Sequence, residues 1–132
     1  MDHHLRLALG LILAAALSSP FPASAQDAAA GKRVFNRCRA CHDAEKEVNK
    51  GGPPLLGVVG RTEGTAPTFL DKYSDAMKAA GAGGLVWDEA NLAEYLRAPK
   101  AKVPGNQMAF PGLKKDEEIA DLIAYLKADP KP

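Results

Sequence analysis

Cysteine and histidine are scarce in this sequence, and their scarcity limits the sites that it can build. The 132 residues include two cysteines and three histidines. Two cysteines allow at most one disulfide, which excludes the multiply cross-linked scaffolds of many small secreted domains. His3 and His4 stand at the extreme N-terminus, so His42 is the only histidine in the body of the chain.

Strand signals and a charge imbalance are lacking as well. Valine and isoleucine are few after residue 25, and no segment alternates apolar and polar residues for long enough to predict a buried strand. The 17 basic and 16 acidic residues nearly cancel, and a nucleic-acid-binding protein would be expected to have a clear basic excess. The sequence therefore predicts an all-α protein that does not bind nucleic acid.

The chain also lacks an apolar run long enough to span a bilayer comfortably. The run LALGLILAAAL occupies residues 7–17, whereas a transmembrane helix needs about 20 apolar residues. A short polar start precedes it, and small residues and prolines follow it up to an Ala-x-Ala site at residues 23–25. This order is typical of a secretory signal peptide rather than of a membrane anchor or a buried helix. We expect cleavage after Ala25 and one exported domain over residues 26–132.

Helices are predicted in four segments, residues 28–38, residues 74–80, Glu89–Arg97 and Asp116–Lys127, and in the last of them Ile119, Leu122, Ile123 and Leu126 recur with helical spacing. The last segment has acidic residues in its first turn, where the helix dipole favours them. Asp88 is the predicted N-cap of the third segment, and Gly81 is the predicted end of the second.

Two loops rich in glycine and proline separate these helices, GGPPLLGVVG at residues 51–60 and VPGNQMAFPG at residues 103–112. Long loops in a compact domain are usually functional. Their backbone groups need hydrogen-bond partners that helices do not supply. We therefore expect a bulky group between the helices and the loops.

The two cysteines stand three positions apart and precede the histidine, in CRACH at residues 38–42. A redox dithiol would need a neighbouring strand, zinc would need more ligands than the exported chain offers, and a disulfide in a helical stretch would be strained. Cys-x-x-Cys-His is also the pattern of c-type haem attachment. In that reading Cys38 and Cys41 reach two vinyl groups on one edge of the porphyrin, while His42 reaches the iron. A large apolar haem would also supply buried area that a small helical chain lacks.

The iron of such a haem has a second axial position. A second histidine is excluded, so the candidates are Met77, Met108, a lysine or no protein ligand. Met108 lies in an extended loop that can cross the opposite face of the porphyrin, whereas Met77 lies in a predicted helix, where methionine is more often core filler. A thioether favours ferrous iron. If the protein fills both axial positions, the chemistry left to the iron is outer-sphere electron transfer.

Six ordered motifs make the chain resemble the class I c-type cytochromes, the group that includes mitochondrial cytochrome c and bacterial cytochrome c2. They are GKRVFNRCRACH at 31–42, GPPLLGVVGR at 52–61, YSDAMK at 73–78, LVWDEANLAEYLRAPK at 85–100, KVPGNQMAFPGLK at 102–114 and DLIAYLK at 121–127. The resemblance covers essentially the whole chain after residue 25. It implies the cytochrome c fold, with four or five helices and long loops wrapped around one covalently bound haem c.

The resemblance also implies roles for individual residues. Cys38 and Cys41 would form the thioether bonds, while His42 and Met108 would be the axial ligands of the iron. Gly31 would let the two terminal helices approach closely. Five further residues would contact the haem or its ligands: Pro53 as the acceptor for the His42 ring, Arg61, Tyr73 and Trp87 at the haem propionates, and Tyr95 near the Met108 sulfur.

By the same resemblance the protein would be a monomeric electron carrier of the periplasm and not an enzyme. Its donor would be a membrane cytochrome bc complex, and its acceptor would be a photosynthetic reaction centre or a terminal cytochrome oxidase. A basic rim would steer it toward acidic partners, and the expected rim residues are Arg37, Arg39, Lys100, Lys102, Lys114 and Lys115. Gln107 stands where the family often has a lysine, which weakens this rim.

Two alternatives stay open. In the first, Met108 does not bind the iron, and the protein is a haem sensor or a peroxidase-like enzyme with an open iron site. In the second, the protein is a binding module that carries no haem. Carbon monoxide binding to the reduced protein distinguishes the first alternative from an electron carrier, and a colourless protein would establish the second.

Overall fold

The structure, a computed structural model, describes residues 26–132, in which helices alternate with long loops. The helical segments are α1 (Ala28–Phe35), a 3₁₀ helix (Pro67–Lys72), α2 (Asp75–Ala82), α3 (Glu89–Arg97), α4 (Pro99–Lys102) and α5 (Asp116–Lys127). Within these residues the only β pairing is one isolated bridge between Thr62 and Val86. The predicted all-α class is therefore confirmed, while the expected signal peptide lies outside the described residues.

Helices α3 and α5 have the predicted bounds, and the side chain of Asp88 caps α3 by accepting the Asn91 N–H at 2.7 Å. Helix α1 ends at Phe35 instead of Cys38, because the chain continues in tighter turns. In these turns the amide of Cys38, for example, donates to the Phe35 carbonyl three positions back. Pro99 follows the end of α3 and starts α4, where its fixed φ suits the first turn of a helix.

Gly81 does not end helix α2, which continues to Ala82. A Cβ atom added at Gly81 would lie 1.9 Å from the carbonyl oxygen of Glu63. The glycine is required by the close approach of a neighbouring loop to the helix, and this long-range contact is invisible in the local sequence. The prediction that the helix stops at Gly81 was wrong for this reason.

The two terminal helices, α1 and α5, cross in direct backbone contact. A Cβ atom at Gly31 would lie 1.9 Å from the backbone oxygen of Asp121, and the rings of Phe35 and Tyr125 are 5.4 Å apart between centroids. The amide of Asp27 also donates to the Asp121 carboxylate at 3.0 Å. The predicted close approach at Gly31 is therefore present, and it joins helix α1 to helix α5.

None of the helices in residues 26–132 is long and apolar enough to cross a membrane. The apolar core extends from the α1–α5 crossing to helix α3, where Leu92 and Tyr95 are buried. A second small cluster joins Phe69 of the 3₁₀ helix to Tyr73 at 5.0 Å between ring centroids. These two clusters form walls of one central cavity.

Candidate cofactor-binding site

One cavity of about 370 Å³ lies between the helices and the two glycine- and proline-rich loops. Cavities of several hundred cubic ångströms are typical of cofactor sites. All nine site residues predicted from the sequence line it: Cys38, Cys41, His42, Pro53, Arg61, Tyr73, Trp87, Tyr95 and Met108. Residues from distant parts of the chain thus face one common cavity.

The turn that follows α1 carries the two cysteines and the histidine. The amides of Cys41 and His42 both donate to the Cys38 carbonyl, at 3.1 and 2.9 Å, so one tight turn holds the three residues together. The thiols of Cys38 and Cys41 are free and not joined in a disulfide. Burial raises the pKa of the Cys38 thiol. Within residues 26–132 no three His, Cys, Asp or Glu side chains converge as a metal site, so the zinc alternative finds no ligand set there.

The His42 ring is fixed by the loop opposite it. Its Nδ1 lies 2.7 Å from the Pro53 carbonyl oxygen, and because a carbonyl only accepts, Nδ1 must donate. This leaves the lone pair of Nε2 free to bind a metal. Burial lowers the pKa of His42, which favours the neutral ring that a metal ligand requires. Gly52 packs against this ring, since a Cβ atom there would lie 2.4 Å from its Cε1 atom.

Met108 is held on its loop by a residue that sequence reasoning missed. The buried Asn106 donates to the carbonyls of Pro99 and Val103 at 2.9 and 2.8 Å, and it accepts the Met108 amide at 3.0 Å. The hydroxyl of Tyr95 lies 3.9 Å from the Met108 sulfur. An asparagine between Gly105 and Gln107 gives no local signal of burial, so the sequence alone predicts an ordinary turn residue at Asn106.

Met77 also lines the cavity, from helix α2. Its amide donates to Ser74 Oγ at 3.2 Å, as part of the helix cap, and its side chain packs against both apolar clusters. The two methionines therefore share the cavity but differ in setting. Met77 is part of an apolar wall, whereas Met108 has a hydroxyl group beside its sulfur.

A polar region of the cavity combines a cation with aromatic hydroxyl and indole groups. Arg61 donates to the carbonyls of Pro54 and Leu56 at 3.1 and 3.4 Å, which anchors its guanidinium. Tyr73 accepts the buried amide of Ala66 at 3.1 Å through its hydroxyl oxygen, and burial raises the pKa of that hydroxyl. Trp87 packs on Tyr95, with 4.8 Å between ring centroids. Such a region suits an anionic group on a mostly apolar ligand.

Sequence reasoning also missed Glu63, which is 3% exposed and lines the same cavity. Its Oε1 atom is buried without a hydrogen-bond partner among the described residues. A buried unsatisfied oxygen at a cavity wall indicates a missing polar partner in the cavity. The two thiols, the imidazole and the thioether in one cavity fit one haem c, and the unpartnered oxygen of Glu63 marks a position where a polar group of that ligand would lie.

The predicted basic rim is only partly at the mouth of this cavity. Of its six residues Arg37 lines the cavity, and its guanidinium is paired with Glu118 at 2.8 and 2.9 Å. Lys102 is instead paired with Glu94 at 2.5 Å. The exposed Lys72 lines the cavity although it was not among the predicted rim residues, and Gln107 lines it as well.

The sequence is similar to those of known proteins. The sequence model of a family described as Cytochrome c matches residues 28–128. Cytochrome c2 of Agrobacterium tumefaciens (strain II Chrys) is 50% identical over 109 residues, covering 80% of this chain and 96% of that protein. Cytochrome c2 of Blastochloris viridis is 46% identical over 123 residues, covering 92% and 91%.

A solved structure is similar as well. Cytochrome cH from Methylobacterium extorquens superposes with a TM-score of 0.66 at 48% identity, over 76% of this chain and 97% of that chain. The superposition confirms the fold that the six sequence motifs imply.

Proposed function

The chain belongs to the cytochrome c family, and from this membership we propose that it is an electron carrier with one covalently bound haem c. The observation that carries the proposal is the common cavity of Cys38, Cys41, His42 and Met108. These residues supply two thiols for attachment and two soft or neutral ligands for an iron. The relatives named cytochrome c2 support the same function.

The haem, when bound, supplies an iron that exchanges one electron between its ferric and ferrous states. The protein would attach it through Cys38 and Cys41 and would offer His42 and Met108 as axial ligands. The Pro53 carbonyl fixes the tautomer of His42 through the 2.7 Å contact with Nδ1. The hydroxyl of Tyr95 lies beside the Met108 sulfur. Ligands held in this way need little rearrangement when the charge of the iron changes.

Several groups in the polar region would neutralise the propionate side chains of the haem. Arg61 supplies a cation, while Tyr73 and Trp87 supply hydrogen-bond donors from buried positions. Buried carboxylates without such partners would be costly. In this arrangement the polar region would hold the charge of the propionates.

We propose that the protein is not an enzyme, because two protein ligands would fill both axial positions of the iron and leave none for a substrate. The alternative, a haem sensor or peroxidase-like enzyme, requires that Met108 leave the iron. The contact with Tyr95 and the hydrogen bonds of Asn106 favour a fixed Met108 loop over an open iron site.

We also propose that residues 1–25 are a cleaved signal peptide and that residues 26–132 act as a monomer in the periplasm. Its partners would be membrane electron-transfer complexes, a cytochrome bc complex as donor and a reaction centre or cytochrome oxidase as acceptor. Lys72 at the cavity would supply positive charge to the docking surface.

Electron exchange with membranes that contain a quinol-oxidising cytochrome bc complex tests this function. We expect the haem-loaded protein to be reduced by the membranes and the rate to fall as salt rises, because charged surfaces steer the encounter. Lys72→Glu should slow the reaction about tenfold at low salt and much less at high salt. Lys46→Glu makes the same charge change at an exposed position outside the cavity and serves as the control. A protein that membranes do not reduce would contradict the proposed function, and equal rates for the two variants would contradict the docking surface.

A further inference from the structure

Glu63 is not among the residues proposed to attach the haem, to ligate its iron or to neutralise its propionates, although it is among the most buried residues of the cavity wall. It is 3% exposed, and its position is fixed by the backbone around it. Its amide donates to the Leu85 carbonyl at 2.9 Å, and the neighbouring bridge joins Thr62 to Val86. Helix α2 packs on its other side, where Gly81 admits the Glu63 carbonyl. The side chain is therefore held at the cavity by a rigid backbone.

The carboxyl group of Glu63 lacks a partner on one side. Its Oε1 atom is buried and accepts no hydrogen bond from any described residue. A buried carboxylate in this state would be costly, and protonation removes most of that cost. A protonated carboxyl group has an O–H that must itself find an acceptor. The described side chains leave that position open, and the cavity adjoins it.

The groups that face Glu63 favour the neutral form. Burial is the largest influence and raises the pKa of the carboxyl group, while the Gly64 amide, the Trp87 indole and the cation of Arg61 oppose it in part. Tyr73 and Tyr95 face it as well, and their own pKa values are raised, so both stay neutral. Helix α2 meets Glu63 at Gly81, which has no side chain. Arg61 is thus the one cation that acts on Glu63 among the described residues.

We propose that Glu63 is a haem-binding residue whose protonated carboxyl group donates a hydrogen bond from Oε1 to a propionate carboxylate of the haem. This proposal rests on the proposed function, because it requires a bound haem. It also makes Glu63 a proton site linked to the iron. The ionised carboxylate is negative and stabilises ferric iron, so oxidation favours loss of the proton to water and reduction favours its return from water.

The sign of the pH dependence follows from this linkage. The carboxyl group has a lower pKa in the ferric protein than in the ferrous protein, because the ferric iron carries one more positive charge. Between these two values, reduction takes up a proton, and the reduction potential falls as pH rises. At a pH below both pKa values, or above both, the reduction potential does not depend on Glu63.

Spectroelectrochemical titration of the haem-loaded protein between pH 4 and pH 10 tests the proposal. We expect the reduction potential of the unmodified protein to fall as pH rises between the ferric and ferrous pKa values of Glu63. This fall should disappear in Glu63→Gln. The glutamine amide can still donate to a propionate. Asp121→Asn is the matched control. Asp121 is the other buried acid among the described residues, but its carboxylate accepts the backbone amide of Asp27 and lies outside the cavity. The Asp121→Asn variant should keep the pH dependence of the reduction potential that the unmodified protein has.

A second measurement does not depend on any variant folding. The side-chain carboxyl carbon of Glu63, followed by NMR in the ¹³C-labelled ferrous protein, should titrate well above the ordinary glutamate pKa of about 4.3. Titration at that ordinary value, or an unchanged potential-against-pH curve in Glu63→Gln, would overturn the proposal. Either result in a protein with an intact haem spectrum leaves the electron-carrier function standing. A chain that takes up no haem would overturn both, and its colourless solution identifies that case.

Discussion

Replacing Gly31 with alanine is expected to destabilise the protein by about 1–3 kcal/mol. Alanine is normally the better helix former by about 1 kcal/mol, so an unobstructed site would give the opposite sign. At Gly31 the added Cβ atom would lie 1.9 Å from the backbone oxygen of Asp121 and 2.8 Å from the Cβ atom of Tyr125. A backbone atom cannot rotate away as a side chain can. Helices α1 and α5 would have to separate, which would open the apolar contact between Phe35 and Tyr125.

The free energy of unfolding of the haem-loaded protein, measured with guanidinium chloride, checks this expectation. Arg33→Ala is the control, since Arg33 is exposed in the same helix and its change should be within about 0.5 kcal/mol. A Gly31→Ala protein as stable as the unmodified protein, or more stable, would contradict the described crossing of the terminal helices.

Replacing Gly52 with alanine is expected to disrupt the proposed iron ligation by His42 while leaving both cysteines in place. The added Cβ atom would lie 2.4 Å from Cε1 of the ring and 2.9 Å from Nδ1. The ring would have to turn, and its hydrogen bond to Pro53 would be lost. Loss of an interaction that orients a metal ligand typically costs 10–100-fold in affinity. We therefore expect about a tenfold or greater drop in the yield of protein with a low-spin haem.

Gly51 offers a matched control for this variant. It precedes Gly52, and a Cβ atom there would meet Cys41 Sγ at 3.6 Å, an ordinary contact distance. Gly51→Ala should therefore keep most of the yield and the spectrum of the unmodified protein. The measurement is the absorption spectrum of equal amounts of chain matured in the same cells. If Gly51→Ala and Gly52→Ala give the same yield and spectrum, the His42 ring does not pack closely against Gly52.

The parts of the fold that the sequence predicts are those with a local cause. Helix α5 has a regular apolar face and an acidic first turn, so its bounds follow from its own residues. The turn that joins the two cysteines to His42 is equally local. The family motifs then locate residues such as Arg61 and Tyr95 at the cavity, although no short-range pattern assigns them to it.

The parts that the sequence does not predict depend on distant contacts. Gly81 resembles a helix stop, but its actual constraint is the Glu63 backbone. Glu63 and Asn106 resemble surface turn residues until the fold shows that both are buried. Lys72 becomes a cavity residue only because the 3₁₀ helix brings it there. In each case burial is decided by residues far along the chain.

We propose that His42 and Met108 occupy both axial positions of one haem. The most direct test is the visible spectrum of the matured protein, oxidised and then reduced, with carbon monoxide added to the reduced sample. The matched variants are Met108→Ala and Met77→Ala, since both methionines line the cavity.

We expect a low-spin spectrum with the weak far-red sulfur-to-iron band, unchanged by carbon monoxide in the unmodified protein and in Met77→Ala. Met108→Ala should lose that band and bind carbon monoxide. A high-spin spectrum that shifts with carbon monoxide in the unmodified protein would contradict the account and indicate an open iron site.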